Sequence, residues 1–467
     1  MNNVNAAKVK SPVTRVLQGG LLLLLWLPTL TLATVFEMTM QNGMKVIVKR
    51  DTRAPVVVSQ VWYKVGSSYE HDGITGVSHL LEHMMFKGTE KYPAGEFSRV
   101  IAENGGRENA FTGPDYTGYY QMLEKSRLPV SLRMEADRMR NLLLPDAEFV
   151  KERAVVVEER RLRTEDKPTA LALEQFMASA FIASPYHHPI IGWMDDVSTL
   201  EREDLQTWYQ RWYAPNNATL VVVGDVEAEE VFRLAQTHFG TLPASAIKPV
   251  KSRSEPQQKG ERRLQVVSAE AKLPMVIMGY KAPALLHSDA RWKAYALEVL
   301  AHILAGGDSA RLGKDLVRGQ GIAASASAGY DLYARLPTLF TLNGTPVAGR
   351  SAKELEQALR EQINRLQREP VSSEELERVK VQVMAGKVYE LDSIYYQAMQ
   401  IGALETVGIG WKEMEHYVDA IDAVTPAQLQ QVAREFLDSS QLTVAHLLPQ
   451  GDAQPSVIDS QHGENSL

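Results

Sequence analysis

The stretch that decides how this 467-residue chain is interpreted is Gly76-Val-Ser-His79-Leu-Leu-Glu82-His83-Met-Met-Phe86. Its apolar spacing predicts a helix, and residues four apart on a helix lie on the same face. His79 and His83 can therefore offer two imidazoles to a single metal ion. Glu82 lies beside His83, so its carboxylate can reach a water bound to that ion without being a ligand itself.

A catalytic zinc site takes three protein ligands and leaves one position open for water. Two histidines and one carboxylate meet this need, and Glu82 then serves as the general base that takes a proton from the water. The order His-x-x-Glu-His is an inverted form of the zinc-peptidase motif His-Glu-x-x-His. For the motif alone, the alternative is a surface helix that carries two solvated histidines.

Composition limits the kinds of protein this chain can be. The chain is 45% apolar and 23% charged, which is typical of a folded protein, and its length suits two domains of roughly 200 residues each. The absence of cysteine excludes disulfides, thiol catalysis and cysteine-bound zinc, so any metal must be held by His, Asp or Glu. The formal net charge is −7, and an acidic chain is a poor candidate for binding nucleic acid or anionic membranes.

The first 33 residues differ from the rest. A basic start precedes an apolar run at 21–32, and no acidic residue occurs before Glu37. The run is shorter than the about 20 residues of a membrane span, and it ends in Thr31-Leu32-Ala33, with small residues where a signal peptidase needs them. This predicts a secretory signal peptide at 1–33, with an uncleaved N-terminal anchor as the alternative. No other stretch approaches transmembrane length, so no stable membrane span is expected after cleavage.

Strand and helix signals are mixed along the chain, which indicates an α+β fold. In the first half, the pattern predicts a hairpin around Gln41-Asn42-Gly43, strands at 56–65 and 218–223, and helices at 74–86, 94–104, 126–143 and 146–164. The polar stretch at 241–262 is rich in proline and lysine and has no apolar period, so it is the predicted linker.

The end of the second half resembles the end of the first half. An amphipathic helix, a polar loop and a strand begin near Asp204 and again near Gln428, at an offset of about 222–224 residues. A spacing near half of the chain suggests an internal duplication. We therefore predict two similar domains at 34–240 and 263–449, each a mixed, mostly antiparallel sheet packed with helices, and a flexible tail at 450–467.

Four blocks of sequence resemble the pitrilysin/insulinase family of zinc metallopeptidases, in its half-length bacterial secreted form. They are Gly66-Ser-Ser-Tyr-Glu70 leading into the motif at 79–83, Gly105-Gly-Arg-Glu-Asn-Ala-Phe-Thr112, Glu152-Arg-Ala-Val-Val-Val-Glu-Glu159, and Tyr213-Ala-Pro-Asn-Asn-Ala-Thr-Leu-Val-Val-Val-Gly-Asp225. The resemblance covers most of 35–449, more loosely in the second half. It favours a zinc site over a solvated helix, and it implies one Zn²⁺ per chain.

The resemblance also implies the remaining groups of the metal site. The family's third ligand is a glutamate about 75 residues after the second histidine, and 75 residues lie between His83 and Glu159. Glu158 is the neighbouring candidate. Glu152 corresponds to a carboxylate that holds a ligand histidine in the right tautomer. For Glu158 and Glu152, the alternative is a solvated position on an acidic helix.

The block at 105–112 resembles the family's substrate-binding edge strand, which an extended peptide joins through main-chain hydrogen bonds. The resemblance implies that Asn109 and Ala110 contact the substrate backbone near the scissile bond. It also implies that Phe111 lines a side-chain subsite, with core packing as the alternative for that residue.

One part of the family pattern is missing. Full-length relatives carry, in their second half, an arginine and a tyrosine seven residues later that bind the substrate carbonyl. The alignment puts Val317 and Ala324 at these positions, with Arg318 one residue away and the next tyrosine at Tyr330. Losing such donors costs about two to three orders of magnitude in rate. This predicts a heterodimer in which a similar metal-free subunit supplies them; a homodimer is the alternative.

Together these features predict a zinc endopeptidase subunit that hydrolyses peptides or unfolded polypeptides in the periplasm. The alternative is a non-proteolytic binding or assembly subunit that keeps the zinc for structure. Glu82 argues against that alternative, because a purely structural site has no use for a general base.

Overall fold

The computed structural model describes residues 35–251 and 253–451. The predicted signal peptide at 1–33 and nearly all of the predicted tail at 450–467 lie outside the described residues. Within the described ranges, no helix has the length and apolar character needed to cross a membrane.

The strands of the described residues form two sheets. They are β1 (Val35–Thr39), β2 (Lys45–Arg50), β3 (Val56–Tyr63), β4 (Arg107–Thr112), β5 (Thr117–Glu124), β6 (Ala218–Gly224), β7 (Arg262–Ser268), β8 (Met275–Ala282), β9 (Ala323–Tyr330), β10 (Thr338–Pro346) and β11 (Leu442–Pro449).

The helices cover both sheets. They are α1 (Val77–Met84), α2 (Glu96–Glu103), α3 (Leu128–Asn141), α4 (Asp146–Arg160), α5 (Pro168–Ala180), α6 (Met194–Thr199), α7 (Arg202–Trp212), α8 (Ala228–Phe239), α9 (Arg291–Ala305), α10 (Ala352–Arg368), α11 (Ser373–Glu390), α12 (Ile394–Val407), α13 (Glu413–Asp422) and α14 (Pro426–Phe436). The first four lie within the four helical ranges that the sequence predicts. Two π-helical segments, Arg161–Glu165 and Leu312–Gly319, continue α4 and follow α9.

Five strands of the first sheet, β2 to β6, follow the same order as the five strands of the second sheet, which agrees with the predicted duplication; β1 is an additional edge strand. The first sheet runs β1-β2-β6-β3-β5-β4 and the second runs β7-β11-β8-β10-β9. In each sheet one pair is parallel, β2 with β6 and β7 with β11, and the other neighbours are antiparallel. The α+β class, the repeat and the mostly antiparallel sheets are therefore confirmed.

Each half contributes one helix to the sheet of the other half. Helix α12 packs on the first sheet, where Gly402 lies so close to the Trp62 indole that a Cβ would be 2.0 Å from Cε2. Helix α5 packs on the second sheet, where the Phe176 ring lies against Gly279. Close approach of backbone to an aromatic ring explains why glycine stands at both positions.

Polar contacts accompany this exchange. Glu405 of α12 accepts a hydrogen bond from Lys45 at 2.9 Å. Asp51 accepts one from Gln397 of α12 at 3.0 Å and, within its own half, another from Arg53 at 2.7 Å. Residues 35–451 belong to one compact unit, and the division of the chain at the polar stretch 241–262 stays a prediction.

Candidate metal centre and substrate-binding edge

A buried carboxylate fixes the start of helix α1, which carries the histidine motif. Gly76 adopts a φ of 88° just before the helix, a conformation that favours glycine. Glu70, only 5% exposed, accepts hydrogen bonds from the backbone N–H groups of Gly76 at 2.7 Å and Ser78 at 2.8 Å. These N–H groups have no partner inside the helix, so the carboxylate anchors its first turn.

Helices α1 and α4 bring His79, His83 and Glu159 together. The Nε2 atom of His83 lies 3.4 Å from Oε2 of Glu159, and the Nε2 atom of His79 lies 3.9 Å from its Oε1. Three ligand atoms, one from each residue, lie within 4.8 Å of one another. Ligands of a tetrahedral zinc ion with bonds of about 2.0–2.1 Å lie about 3.3–3.4 Å apart, so small adjustments would accommodate the ion.

Burial keeps one of the imidazoles in the form that binds metals. It lowers the pKa of His79 to about 3, so the ring is neutral over the physiological range. The Nδ1 atom of His79 is buried and has no hydrogen-bond partner among the described residues. Two nitrogen donors and a carboxylate, without cysteine, are a donor set that zinc accepts.

Glu159 lies in the last turn of α4, where the helix passes into the π-helical segment. Arg163 of that segment contacts Glu159 at 2.7 Å. The neighbouring candidate, Glu158, lies outside the group: its side chain is 59% exposed and pairs with Arg161. The rotation of about 100° between successive helical residues separates the two carboxylates.

Glu152 lies on the other side of His83. Its Oε2 atom is 3.3 Å from Nδ1 of His83, and its Oε1 atom contacts Nζ of Lys87 at 2.5 Å. A proton shared between Nδ1 and the carboxylate leaves the Nε2 lone pair of His83 facing Glu159. Glu152 is thus placed to hold the tautomer that a metal ligand needs.

Glu82 lies beside the three grouped residues without being one of them, and the edge strand β4 holds its side chain. Thr112, the last residue of β4, donates a hydrogen bond to Oε2 of Glu82 at 2.5 Å. Burial raises the pKa of Glu82, while the Thr112 hydroxyl lowers it. Sequence reasoning missed Thr112, although strand alternation offered a signal by placing its side chain on the same face as that of Ala110.

Strand β4 is the edge of the first sheet, as the sequence predicts for the block at 105–112. The Ala110 N–H donates to the side-chain Oδ1 of Asn109 at 2.9 Å rather than to the neighbouring strand β5. The N–H of Ala110 therefore points to the open edge, where an extended peptide would lie.

Phe111 lies on the sheet face opposite to Thr112 and Glu82. Its ring packs against Trp62, with centroids 5.0 Å apart, and against Gly118. These contacts agree with core packing, the alternative that the sequence left open for Phe111. A role in a side-chain subsite stays a prediction.

Among the residues that the structure describes, the second half brings no side chain into hydrogen-bonding or ion-pairing contact with these groups. Among the described residues, every side chain that hydrogen-bonds or ion-pairs with the grouped residues, with Glu152 or with Glu82 belongs to the first half. Val317 is half-buried against the second core, and Ala324 is exposed on the edge strand β9. Arg318 donates to the carbonyl of Asp308, and Tyr330 donates to the carbonyl of Pro283 at 2.5 Å.

Comparison with protein-family models finds two matches that together span both halves. The model of the insulinase family, peptidase family M16, matches residues 45–193. The model of the peptidase M16 inactive domain matches residues 199–383. The first match contains the histidine motif, Glu152 and Glu159.

Bacterial zinc proteases are similar to this chain over most of its length. The zinc protease PqqE of Helicobacter pylori is 32% identical over 421 residues, which cover 88% of this chain and 92% of that protein. The zinc protease YmxG of Bacillus subtilis is 25% identical over 416 residues, which cover 89% and 98%.

Solved structures match the fold over most of this chain. The crystal structure of a protease from Helicobacter pylori has a TM-score of 0.85 at 30% identity and covers 90% of this chain and 100% of that chain. The periplasmic protease PqqL from Escherichia coli has a TM-score of 0.76 at 19% identity, and the match covers 89% of this chain and 47% of that chain. The similarity is therefore not confined to the motif.

Proposed function

This chain belongs to the insulinase family, peptidase family M16, and on that premise we propose that it is a zinc-dependent endopeptidase subunit. The observation that carries the proposal is the convergence of His79, His83 and Glu159, with Glu82 beside them but outside the group. A structural site needs only the ligands, so a further carboxylate beside them, Glu82, supports a catalytic role with proton transfer.

The residues divide the chemistry among them. His79, His83 and Glu159 would hold the zinc ion, which when bound supplies Lewis acidity for the hydrolysis of a peptide bond. Glu82 takes the proton of the attacking water and passes it to the leaving amine. Thr112 orients the Glu82 carboxylate through its hydrogen bond. Glu152 keeps the proton of His83 on Nδ1, so that Nε2 is free to bind the metal.

We propose that substrates bind as an additional strand on β4. An extended peptide can take hydrogen bonds from outward groups such as the Ala110 N–H, with Asn109 exchanging its present contact for the substrate. Because pairing uses the main chain, the site would accept peptides or unfolded polypeptides of many sequences. Side chains of the bound strand alternate between the two faces, one of which carries Phe111.

A partner subunit completes the site in this proposal. The family's arginine and tyrosine positions hold Val317 and Ala324, and Arg318 is already bonded to the carbonyl of Asp308. A similar metal-free chain that carries the pair would supply the donors for the substrate carbonyl. A homodimer, with two metal sites and no such pair, should hydrolyse peptides weakly.

The proposed location is the periplasm. The sequence at 1–33 has the features of a secretory signal peptide. A protein with the same fold, PqqL of Escherichia coli, is a periplasmic protease. Fractionation of cells that express the full chain would test this, and a chain that stays in the cytoplasm would contradict it.

Hydrolysis and metal binding can be separated by one substitution. The mature chain and its Glu82→Gln variant are compared for zinc content and for cleavage of an unfolded, fluorescence-quenched polypeptide. We expect equal zinc at the His79 site and loss of cleavage in the variant, because amide nitrogen cannot accept the proton. Equal cleavage by both chains would contradict the proposed role of Glu82. Zinc binding without cleavage by the wild type, alone or with the partner, would favour the non-proteolytic assembly subunit.

The partner proposal has its own test. The chain is co-expressed with a similar-length chain that lacks the histidine motif and carries the arginine–tyrosine pair, and activity is measured for each chain alone and for the pair. We expect a gain of about a hundredfold or more in the heterodimer, the usual scale for such donors. Full activity of the isolated chain, with no further gain from Val317→Arg and Ala324→Tyr, would contradict the proposal. Loss of that activity in Arg318→Ala would instead identify Arg318 as the functional arginine.

A further inference from the structure

A second group of metal-binding side chains lies outside the His79 site. Asp72, His187 and His188 come from two loops, and one ligand atom from each lies within 4.8 Å of the others. The Nε2 atom of His188 is 3.1 Å from Oδ1 of Asp72. The two imidazole rings are 4.2 Å apart and nearly perpendicular, at 83°. None of the three residues belongs to the group around His79.

The two loops are held firmly against each other. A Cβ added at Gly192 would lie 2.3 Å from the carbonyl oxygen of Thr75, and one added at Gly76 would lie 2.5 Å from the carbonyl oxygen of Ile191. The Asp196 carboxylate accepts hydrogen bonds from the Thr75 hydroxyl at 2.5 Å and from the Gly73 N–H at 3.2 Å. The backbone segments that carry the three residues are therefore held in place by the fold, which lowers the entropy cost of binding an ion.

One of the donors has a free nitrogen and another already faces the carboxylate. The Nδ1 atom of His187 is buried and has no hydrogen-bond partner among the described residues, and His188 faces Asp72 through its Nε2 atom. His188 is 9% exposed, whereas the side chain of Asp72 is 91% exposed, so the group opens to solvent on one side. A cation there could complete its shell with water. Two imidazoles and one carboxylate suit zinc, nickel and copper better than calcium or magnesium.

We propose that Asp72, His187 and His188 form a second site for a divalent transition-metal ion. The loop sequence Ser-Pro-Tyr-His-His-Pro by itself favours a structural role for the histidines, and the site makes that role metal-dependent. An ion bound there would join the loop after Glu70 to the loop before α6. Both loops abut Gly76, so the ion would stabilise the start of helix α1. The site would add a second cation to the single zinc that the family resemblance implies.

Four versions of the mature chain distinguish the two proposed metal sites by the amount of metal that each version binds. They are the wild type, a His79→Ala/His83→Ala variant, a His187→Ala/His188→Ala variant, and the combination of both. Each is stripped with a chelator and dialysed to equilibrium against Zn²⁺, and the bound metal is measured by atomic absorption. We expect about two, one, one and zero equivalents, since each pair of substitutions removes two of three ligands.

The possible outcomes distinguish this inference from the proposed function. In the same order of chains, bound equivalents of one, zero, one and zero would overturn the second site and leave the site of the proposed function intact. Equivalents of one, one, zero and zero would overturn the His79 site and support the second one. His416→Ala is the matched control, because His416 is exposed in the second half, and it should bind as much metal as the wild type.

A milder variant guards against a failure to fold, since His188 is buried. Asp72→Asn keeps the shape of an exposed side chain and weakens a charged ligand to a neutral one. In the His79→Ala/His83→Ala background, a metal concentration one hundred times the dissociation constant should raise the melting temperature by about 3 °C. Asp72→Asn should reduce that rise. A rise that is unchanged by Asp72→Asn and by His187→Ala would overturn the proposal.

Discussion

Replacing Thr112 by valine removes the hydroxyl that holds Glu82 while keeping the shape of the side chain. The bond joins Oγ1 of Thr112 to Oε2 of Glu82 at 2.5 Å, and both residues are half-buried. A hydrogen bond to a charged group contributes about 1.5–3 kcal/mol. If Glu82 is the general base, we expect kcat to fall roughly 10- to 150-fold, because each 1.36 kcal/mol of barrier corresponds to a factor of ten.

The same substitution should change the pH dependence in a defined direction. Burial raises the pKa of Glu82 and the Thr112 hydrogen bond lowers it. Without the hydroxyl the pKa of Glu82 rises further, so a higher pH is needed to ionise the base. The acidic side of the activity profile should therefore move to higher pH in Thr112→Val.

Steady-state hydrolysis of a quenched peptide, measured from pH 5 to 9 with zinc content determined in parallel, tests both expectations. KM and the zinc content of Thr112→Val should equal those of the wild type. Thr112→Ser should have most of the wild-type kcat because it keeps a hydroxyl. Thr341→Val, in strand β10 of the second half, is the matched control and should behave as the wild type. A Thr112→Val variant with wild-type kcat and an unmoved acidic side would refute the positioning of Glu82 by Thr112.

Three further experiments test separate parts of the molecule. Glu159→Ala should abolish zinc binding at the His79 site, whereas Glu158→Ala should leave it unchanged. Competition with a chromophoric chelator measures the zinc affinity of both variants. The reverse result would show that Glu158, and not Glu159, is the ligand. Ala110→Pro removes an outward N–H and should reduce hydrolysis for peptides of unrelated sequence while zinc is retained; a loss limited to one residue preference would point to a side-chain pocket instead. Asp51→Asn should lower the free energy of unfolding by about 1–2 kcal/mol at pH 7, because hydrogen bonding to Arg53 lowers the pKa of Asp51 from 3.8 to about 2. That stability is present above about pH 4 and is lost toward pH 2, so denaturant titrations of both proteins should converge at low pH, and a constant difference would contradict the assignment.

Much of the fold followed from local pattern. Alternation and helical spacing predicted the first four helices and the hairpin at β1 and β2, since both periods are properties of the backbone itself. The repeat at the ends of the two halves predicted the duplication, which the common order of five strands in each sheet confirms. The sequence pattern did not predict that α12 would cover the first sheet and α5 the second. An apolar helix face shows that the helix is buried, but it does not specify the surface against which the helix packs.

The residues of the candidate site also fall into those that the sequence predicts and those that only the structure brings together. The sequence by itself determined that His79, Glu82 and His83 would lie together, because residues three and four apart on a helix are always neighbours. Glu159 and Glu152 needed the family resemblance, since their approach to α1 depends on how α4 packs. Only the tertiary structure decided that Thr112 would hold Glu82 and that Asp72 would meet His187 and His188. These pairs are far apart in the chain, and such contacts arise when whole elements pack, which no local period encodes.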